Sequence, residues 1–203
     1  MIEWAPTRGR AGADLRSTVS DVRVNALRLL QYDELGPHVA KCFDLAVDLG
    51  MSFVQVERVR LVTDSFRPKL VGATVIQSAL IQLALVTQGR LIAATTFKSR
   101  QDVEVVLETV NASFLKIAET VADRMDAMTY RAIVALHAAI SFYLIEAARP
   151  LPRMVNFRFN QPMTTLSIAY RLYGDAGRAD ELRYENRVVH PLFVPRFGRA
   201  LSS

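Results

Sequence analysis

Cysteine is almost absent from this sequence, since Cys42 is the single one among 203 residues. One cysteine cannot form an internal disulfide, and it cannot supply a cysteine-rich metal site. The residues that follow it are mostly apolar, which predicts a buried thiol rather than a reactive one.

Residue types that commonly carry catalysis are also scarce. The three histidines, His38, His137 and His190, are far apart in the sequence. His137 lies in an apolar stretch, which is typical of a core histidine. The chain has no HExxH or CxxC motif and no glycine loop of the kind that binds phosphate.

Carboxylates near the C-terminus form the remaining candidate for chemistry. Asp175, Asp180 and Glu181 lie at the start of a predicted short helix, beside Arg178 and Arg183. That position favours helix capping and ion pairing over metal binding. The sequence therefore predicts a protein that is not an enzyme and that uses no cofactor and no metal.

The N-terminus lacks the apolar core of a secretory signal. Residues 1–16 carry charged side chains together with Pro6, Gly9 and Gly12. This composition predicts a flexible arm over residues 1–16 and a protein that stays in the cytoplasm until it assembles.

Lysine is rare, with 4 lysines against 21 arginines, and the formal net charge is +5. Residues 1–150 hold 17 basic and 16 acidic side chains (+1), whereas residues 151–203 hold 8 arginines and 4 acids (+4). The excess therefore belongs to the last quarter of the chain. It favours contact with nucleic acid, an acidic protein or another anionic polymer, and charge alone does not choose among them.

Apolar residues recur at helical spacing through most of the chain, and Gly36-Pro37, Gly50 and Arg67-Pro68 interrupt them. The pattern predicts a helical body over residues 17–149. Its first helices are expected at about 17–31, 37–49 and 51–63, the last of which also fits strand alternation.

The segment from Lys69 to Phe97 is the most hydrophobic, with no charge for 20 residues between Lys69 and Arg90. Its length would admit a membrane span. Its glutamines, serine and threonines, and the lack of flanking aromatic residues, favour a buried central helix instead. We therefore expect no stable membrane span.

Two further helices are predicted before the prolines at 150 and 152. Ser99 and Asp102 form the start of a capping box, and apolar residues at intervals of three or four continue to Met125 and Met128. A helix over 129–148 is apolar nearly all round and is expected to be buried on most sides. Residues 150–152 then predict a stiff linker.

The last segment, residues 153–203, predicts a small α+β module in the order β-α-α-β. Residues 154–159 alternate as a strand does, and Thr164 or Thr165 caps a helix that Gly174 ends. A second helix begins at Asp175 or Gly177, uses Ala179, Leu182 and Tyr184 as its inner face, and stops near Asn186. Residues 192–194 are expected to form a short strand or docking segment. This order is that of a LysM-like module.

The module also resembles the C-terminal end of the DNA circularisation (circulation) proteins of Mu-like tailed phages. The residues that carry the resemblance are Leu172-Tyr173-Gly174-Asp175-Ala176, Arg178-Ala179-Asp180-Glu181-Leu182, Asn186, His190-Pro191 and Phe193-Val194-Pro195. The resemblance implies a structural component of a contractile tail baseplate, in or near the hub, and hence a place in the virion. It also implies partners among baseplate, tube-initiating or tape-measure proteins, and symmetric copies of the chain itself.

Arginines and aromatic residues interleave in this module. Tyrosine with arginine is typical of protein interfaces, phosphate neutralisation with stacking is typical of nucleic-acid binding, and exposed aromatic rings also stack on sugars. We favour a protein interface; a DNA-end-binding circularisation protein and a peptidoglycan-binding module are the alternatives. The predicted interaction residues are Arg171, Tyr173, Arg178, Arg183, Tyr184, Arg187, Phe193, Arg196 and Phe197.

Overall fold

The computed structural model describes residues 10–192 and 194–202. This part of the chain is mainly helical and ends in a small antiparallel sheet, which confirms the predicted fold class. The elements are α1 (Arg10–Gln31), α2 (Leu35–Asp48), α3 (Phe53–Ser65), α4 (Val71–Ala94), α5 (Arg100–Asp123), α6 (Ala127–Ala148), β1 (Met154–Arg158), α7 (Thr165–Tyr173), a 3-10 turn (Ala176–Arg178), α8 (Ala179–Glu185) and β2 (Phe197–Leu201).

Helix α1 begins earlier than expected. The predicted arm of residues 1–16 is helical from Arg10 onward, and residues 1–9 lie outside the described residues. Leu15 is 3% exposed, so burial of this side chain stabilises a turn of helix that Gly12 alone would weaken. The helix is kinked at Asn25, whose side-chain amide donates to Asp21 at 2.6 Å.

Glycine and serine set the boundary between α2 and α3. Gly50 has φ +66, the left-handed conformation predicted for the residue that ends α2. Ser52 and Gln55 form a reciprocal capping box at the start of α3. This capping box favours a helix over a strand, and residues 53–65 are indeed helical.

A buried ion pair within α3 is hydrogen-bonded to α4. Arg60 is 5% exposed, and its Nε and Nη2 donate to the carboxylate of Glu57 at 2.8 and 2.6 Å. Gln88 of α4 donates to the same carboxylate at 2.6 Å. The hydrogen bonds between Arg60 and Glu57 raise the pKa of Arg60 above its ordinary value. Charged side chains are buried at low cost only when they are paired in this way.

Helix α4 is buried mainly in its second half. Ala84, Leu85 and Ile92 are each 1% exposed, whereas Val71 and Val75 near its start are 83% and 59% exposed. The prediction of a buried central helix is therefore correct for the second half of α4 and wrong for its first turns.

Helices α5 and α6 depart from their predicted ends and burial. Helix α5 stops at Asp123, because Met125 adopts a left-handed φ of 58 and breaks the periodicity that the sequence continues to Met128. Met125 and Met128 are 91% and 82% exposed rather than part of the apolar face. Helix α6 buries Ile140 but exposes Phe142 and other apolar side chains, so its predicted burial on most sides is wrong. An apolar composition does not by itself specify which faces have a neighbour.

Among the described residues, α4 and α6 are long and apolar enough to cross a membrane. Each has an 18-residue window with a mean hydropathy of 1.4, of which 28% and 17% is buried. Core helices of soluble proteins pass the same test of length and composition. The absence of a stable membrane span therefore stays a prediction.

The chain divides into two compact units. The first holds the described residues up to Thr95 with Ser113–Ile140, and the second holds Thr96–Ala112 with the described residues from Ser141 onward. The division runs through α5 and α6 and does not coincide with the predicted linker at 150–152.

Within the second unit, the start of α5 anchors the chain around the prolines. The Arg100 side chain donates to the carbonyls of Leu151 and Arg149, both at 2.9 Å. The Gln101 side chain accepts from the backbone N–H of Met154 at 2.6 Å, at the start of β1. The residues predicted to be a linker are therefore fixed by side chains from α5.

The C-terminal module has its own core. Strands β1 and β2 pair antiparallel, with Met154 opposite Leu201 and Arg158 opposite Phe197. The buried side chains beneath them are Phe157, Ile168, Ala169, Ala179, Leu182, Val188, Val194 and Ala200. The order β-α-α-β is as predicted, but the second strand is at 197–201 rather than 192–194. Val194 forms only an isolated bridge with Met163.

Candidate functional site

Helix α7 is held by the caps that the sequence predicts. Thr164 Oγ1 accepts from the backbone N–H of Ser167 at 3.2 Å, and Gly174 has φ 72 at the C-terminus. Asp175 caps the following 3-10 turn by accepting from the Gly177 N–H at 2.7 Å. These short local bonds orient α7 and α8 over the two-stranded sheet.

Two of the predicted interaction residues, Tyr173 and Arg178, pack together inside the module. The Arg178 guanidinium lies 3.7 Å from the centroid of the Tyr173 ring and donates to Glu181 at 3.0 and 2.7 Å. The Tyr173 hydroxyl also donates to Glu181, at 3.3 Å. Burial, together with the charge of Glu181, raises the pKa of Tyr173. This cluster joins α7 to the 3-10 turn.

Other predicted residues lie around an arginine groove, defined as the concave surface lined by Arg183, Tyr184, Glu185, Arg187, Val188 and Arg199. Its volume is about 500 Å³. The side chains come from α8, from the turn after it and from β2. Three guanidinium groups and one carboxylate give the lining a net positive charge.

Asn186 fixes the two sides of the arginine groove to each other. Its side-chain Nδ2 donates to the carbonyls of Leu182 at 2.9 Å and Arg199 at 2.8 Å, and its Oδ1 accepts from the Arg199 N–H at 2.7 Å. The amide therefore uses both its donor and its acceptor atoms to join the end of α8 to β2. This accounts for the place of Asn186 in the sequence motif.

Arg187 occupies a backbone position that usually holds glycine. It has φ 51, its N–H donates to Tyr184 O at 3.2 Å, and the Val188 N–H donates to Arg183 O at 2.9 Å. These bonds form a Schellman motif with arginine at the left-handed position. A left-handed conformation costs a side-chain-bearing residue about 1 kcal/mol relative to glycine. At this cost in stability, the Arg187 side chain lies at the edge of the groove.

We expect Arg187→Gly to stabilise the module. Glycine adopts the left-handed conformation without steric cost, so the free energy of unfolding should rise by about 0.5–1 kcal/mol. Thermal unfolding followed by circular dichroism measures the change. Arg187→Ala keeps the strain while removing the guanidinium, so it should not stabilise; equal stabilisation by both variants would contradict the assignment.

Tyr184 points outward rather than into the core. The prediction that it belongs to the inner face of α8 is wrong, because its side chain is 72% exposed while Ala179 and Leu182 are buried. The Lys98 ammonium lies 4.6 Å from the centroid of its ring. A cation over an aromatic face is attracted by the ring quadrupole. Tyr184 is therefore held in place from one side.

The remaining predicted residues lie elsewhere on the module. Arg171 on α7 and Arg196 before β2 are exposed, and Phe197 in β2 is 74% exposed. Phe193 lies outside the described residues. Exposure leaves Arg171, Arg196 and Phe197 accessible to a partner, but they do not line the arginine groove.

Sequence reasoning missed four contributors to the site: Lys98, Glu185, Val188 and Arg199 belong with it but are outside the predicted set. Arg199 belongs to the same interleaved run of arginines and aromatic residues, which is the signal that could have included it. Lys98 is far from the motif in the sequence and comes close only through folding.

The histidines take part in packing and local contacts. His137 is half-buried rather than fully in the core, and it stacks on Phe114 with ring centroids 5.0 Å apart. His38 Nδ1 lies 2.9 Å from the carbonyl of Glu34. Over residues 10–192 and 194–202, no group of three or more His, Cys, Asp or Glu side chains is placed to hold a metal ion.

Neither the models of known protein families nor the curated proteins compared with this chain match it. The resemblance of the module to the phage circularisation proteins therefore stays a prediction from the sequence.

Proposed function

We propose that this protein is a structural component of a contractile phage tail baseplate, in or near the hub. In this role the C-terminal module docks on neighbouring tail proteins. The observation that carries the proposal is the arginine groove, a set of exposed arginines around Tyr184 on a module with its own hydrophobic core. Tyrosine and arginine are the residue types that contribute most binding energy at protein interfaces.

The backbone support of the groove fits docking. Asn186 fixes Arg199, the Schellman motif fixes Arg187, and Lys98 contacts Tyr184. A backbone that is ordered before the partner arrives loses less conformational entropy on association. A charged surface on a fixed backbone of this kind recognises shape and charge without a chemical step.

The helical body has a separate part in the proposal. It packs around the tail axis, against the tape measure or against symmetric copies of the chain. The apolar side chains that α6 exposes in the first unit, Tyr130 and Val134, support this role, because neighbouring exposed apolar side chains mark interaction sites.

Purified tail particles provide the test. Mass spectrometry of washed particles should find this chain in fixed proportion to the tube and baseplate proteins. A crosslinker that reacts with amines should join Lys98, which lies beside the groove, to another tail protein. Lys41 in α2 is an internal control, since its crosslinks report on the helical body. Absence of the chain from particles, or Lys98 crosslinks confined to the chain itself, would contradict the proposal.

DNA-end binding is the alternative that the charge of residues 151–203 supports. DNA titrations at rising salt separate DNA-end binding from protein docking, because a binder that acts only through phosphate contacts loses affinity for DNA steeply as salt increases. Tight DNA binding that persists at physiological salt would favour this alternative. A pull-down with peptidoglycan tests the cell-wall alternative in the same way.

A further inference from the structure

We propose that the arginine groove binds carboxylate side chains of an acidic peptide segment on the partner. This inference rests on the proposed docking function and adds the chemistry of the contact. The groove lies between α8 and β2 and presents Arg183, Arg187 and Arg199 around a volume of about 500 Å³. That volume suits a few side chains of a peptide.

The guanidinium groups of the groove are available to a ligand. Within the described residues, neither Arg187 nor Arg199 has a carboxylate in ion-pair distance. Arg183 faces Asp180 at 3.6 Å, but the Asp180 side chain is 94% exposed, and exposed pairs of this length contribute little. A carboxylate that enters the groove therefore does not have to displace a strong internal partner.

The planar guanidinium group fits a carboxylate partner. Two parallel N–H groups match the two oxygens of a carboxylate and form charge-assisted hydrogen bonds with it. Arg187 and Arg199 are on backbone segments that hydrogen bonds already hold in place before a ligand binds. Aspartate and glutamate side chains of a peptide supply such carboxylates.

Tyr184 argues against a nucleic acid that stacks its bases in the groove. The Tyr184 ring already has the Lys98 ammonium 4.6 Å from its centroid, so that face is not free to stack on a base.

Fluorescence anisotropy of the full chain with fluorescein-labelled hexaglutamate tests the proposal. Arg187→Gln and Arg199→Gln should each weaken hexaglutamate binding about tenfold, since each removes a charge-assisted contact. Arg153→Gln is the matched control. Arg153 is exposed, directly precedes β1 and lies outside the groove, so its replacement removes the same charge from another place. It should leave the affinity within about twofold of the unchanged chain. Thermal unfolding of every variant shows that the module is folded.

Glu185→Gln should change the affinity for hexaglutamate in the opposite direction. It removes the one carboxylate that lines the groove, so hexaglutamate should bind more tightly, by about threefold or more. A general loss of fold cannot produce tighter binding.

Other results would overturn the inference. One is that hexaglutamate does not bind the folded chain. Another is that Arg153→Gln weakens hexaglutamate binding as much as Arg187→Gln and Arg199→Gln do. A third is that labelled hexathymidylate binds more tightly than hexaglutamate. The last would place a nucleic acid in the groove. If particles contain the chain but hexaglutamate does not bind, the groove inference fails and the proposed function stands. If hexaglutamate binds but particles lack the chain, the proposed function fails and the groove chemistry stands.

Discussion

Replacing Glu57 with alanine should lower the free energy of unfolding of the first unit by about 3–5 kcal/mol, the cost of leaving a buried charge without its partner. Arg60 is 5% exposed and donates twice to the Glu57 carboxylate. Gln88, 1% exposed, donates to it as well. Gln88 Oε1 is already buried without a hydrogen-bond partner among the described residues. The substitution would therefore leave two buried polar side chains unsatisfied at once.

Denaturant unfolding followed by circular dichroism measures this loss, and hydrogen exchange of the α3 and α4 amides locates it. Glu119→Ala is the matched control, because it removes an exposed carboxylate from α5 in the same unit. The double variant Glu57→Ala/Arg60→Met removes both charges and should recover much of the loss. If Glu57→Ala and Glu119→Ala had the same small effect, the pair would not stabilise the fold.

Much of the secondary structure follows from local sequence signals. Gly50 and Gly174 end helices where a left-handed residue is needed, and Ser99 with Asp102 starts α5 as a capping box. Such signals act over three or four residues, so they are visible in the sequence itself. The helical body and the order of the module's elements were predictable for that reason.

The second strand of the module was not predictable in the same way. Residues 197–201 combine Phe197, Gly198 and Arg199 without clear alternation, and nothing local favours a strand there. Pairing with β1 and the hydrogen bonds of Asn186 select the strand. Both are contacts between distant parts of the sequence, so they follow from the fold and not from propensity.

The same reason explains which part of the site escaped prediction. The interleaved arginines and tyrosines indicated the correct module, and Arg183, Tyr184 and Arg187 do line the groove. Tyr173 and Arg178 have the same residue types but contact Glu181 instead. Residue type cannot distinguish a side chain that pairs internally from one that faces a partner. The charged side chains that lie nearby in the folded structure make that distinction.

Gly198→Ala should destabilise the module by about 2–4 kcal/mol, the sum of overpacking and of lost hydrogen bonds. A Cβ atom on residue 198 would lie 2.6 Å from Cζ of Phe157 and closer still to Oδ1 of Asn186. Neither neighbour can move freely. Phe157 is 7% exposed in the core, and Asn186 Oδ1 accepts the hydrogen bond from the Arg199 N–H.

The damage from Gly198→Ala should also reach the arginine groove, because Asn186 holds β2 against α8. Hexaglutamate binding should therefore weaken at temperatures where the variant is still folded, and thermal unfolding should show the lower stability. Gly72→Ala is the control, since Gly72 is exposed near the start of α4 and a Cβ there meets nothing within 4 Å. It should be neutral or slightly stabilising, as alanine favours helix over glycine. If Gly198→Ala and Gly72→Ala had the same stability and the same affinity for hexaglutamate, the close contact of Gly198 with Phe157 and Asn186 would not position Arg199. The shape of the groove would then have another cause.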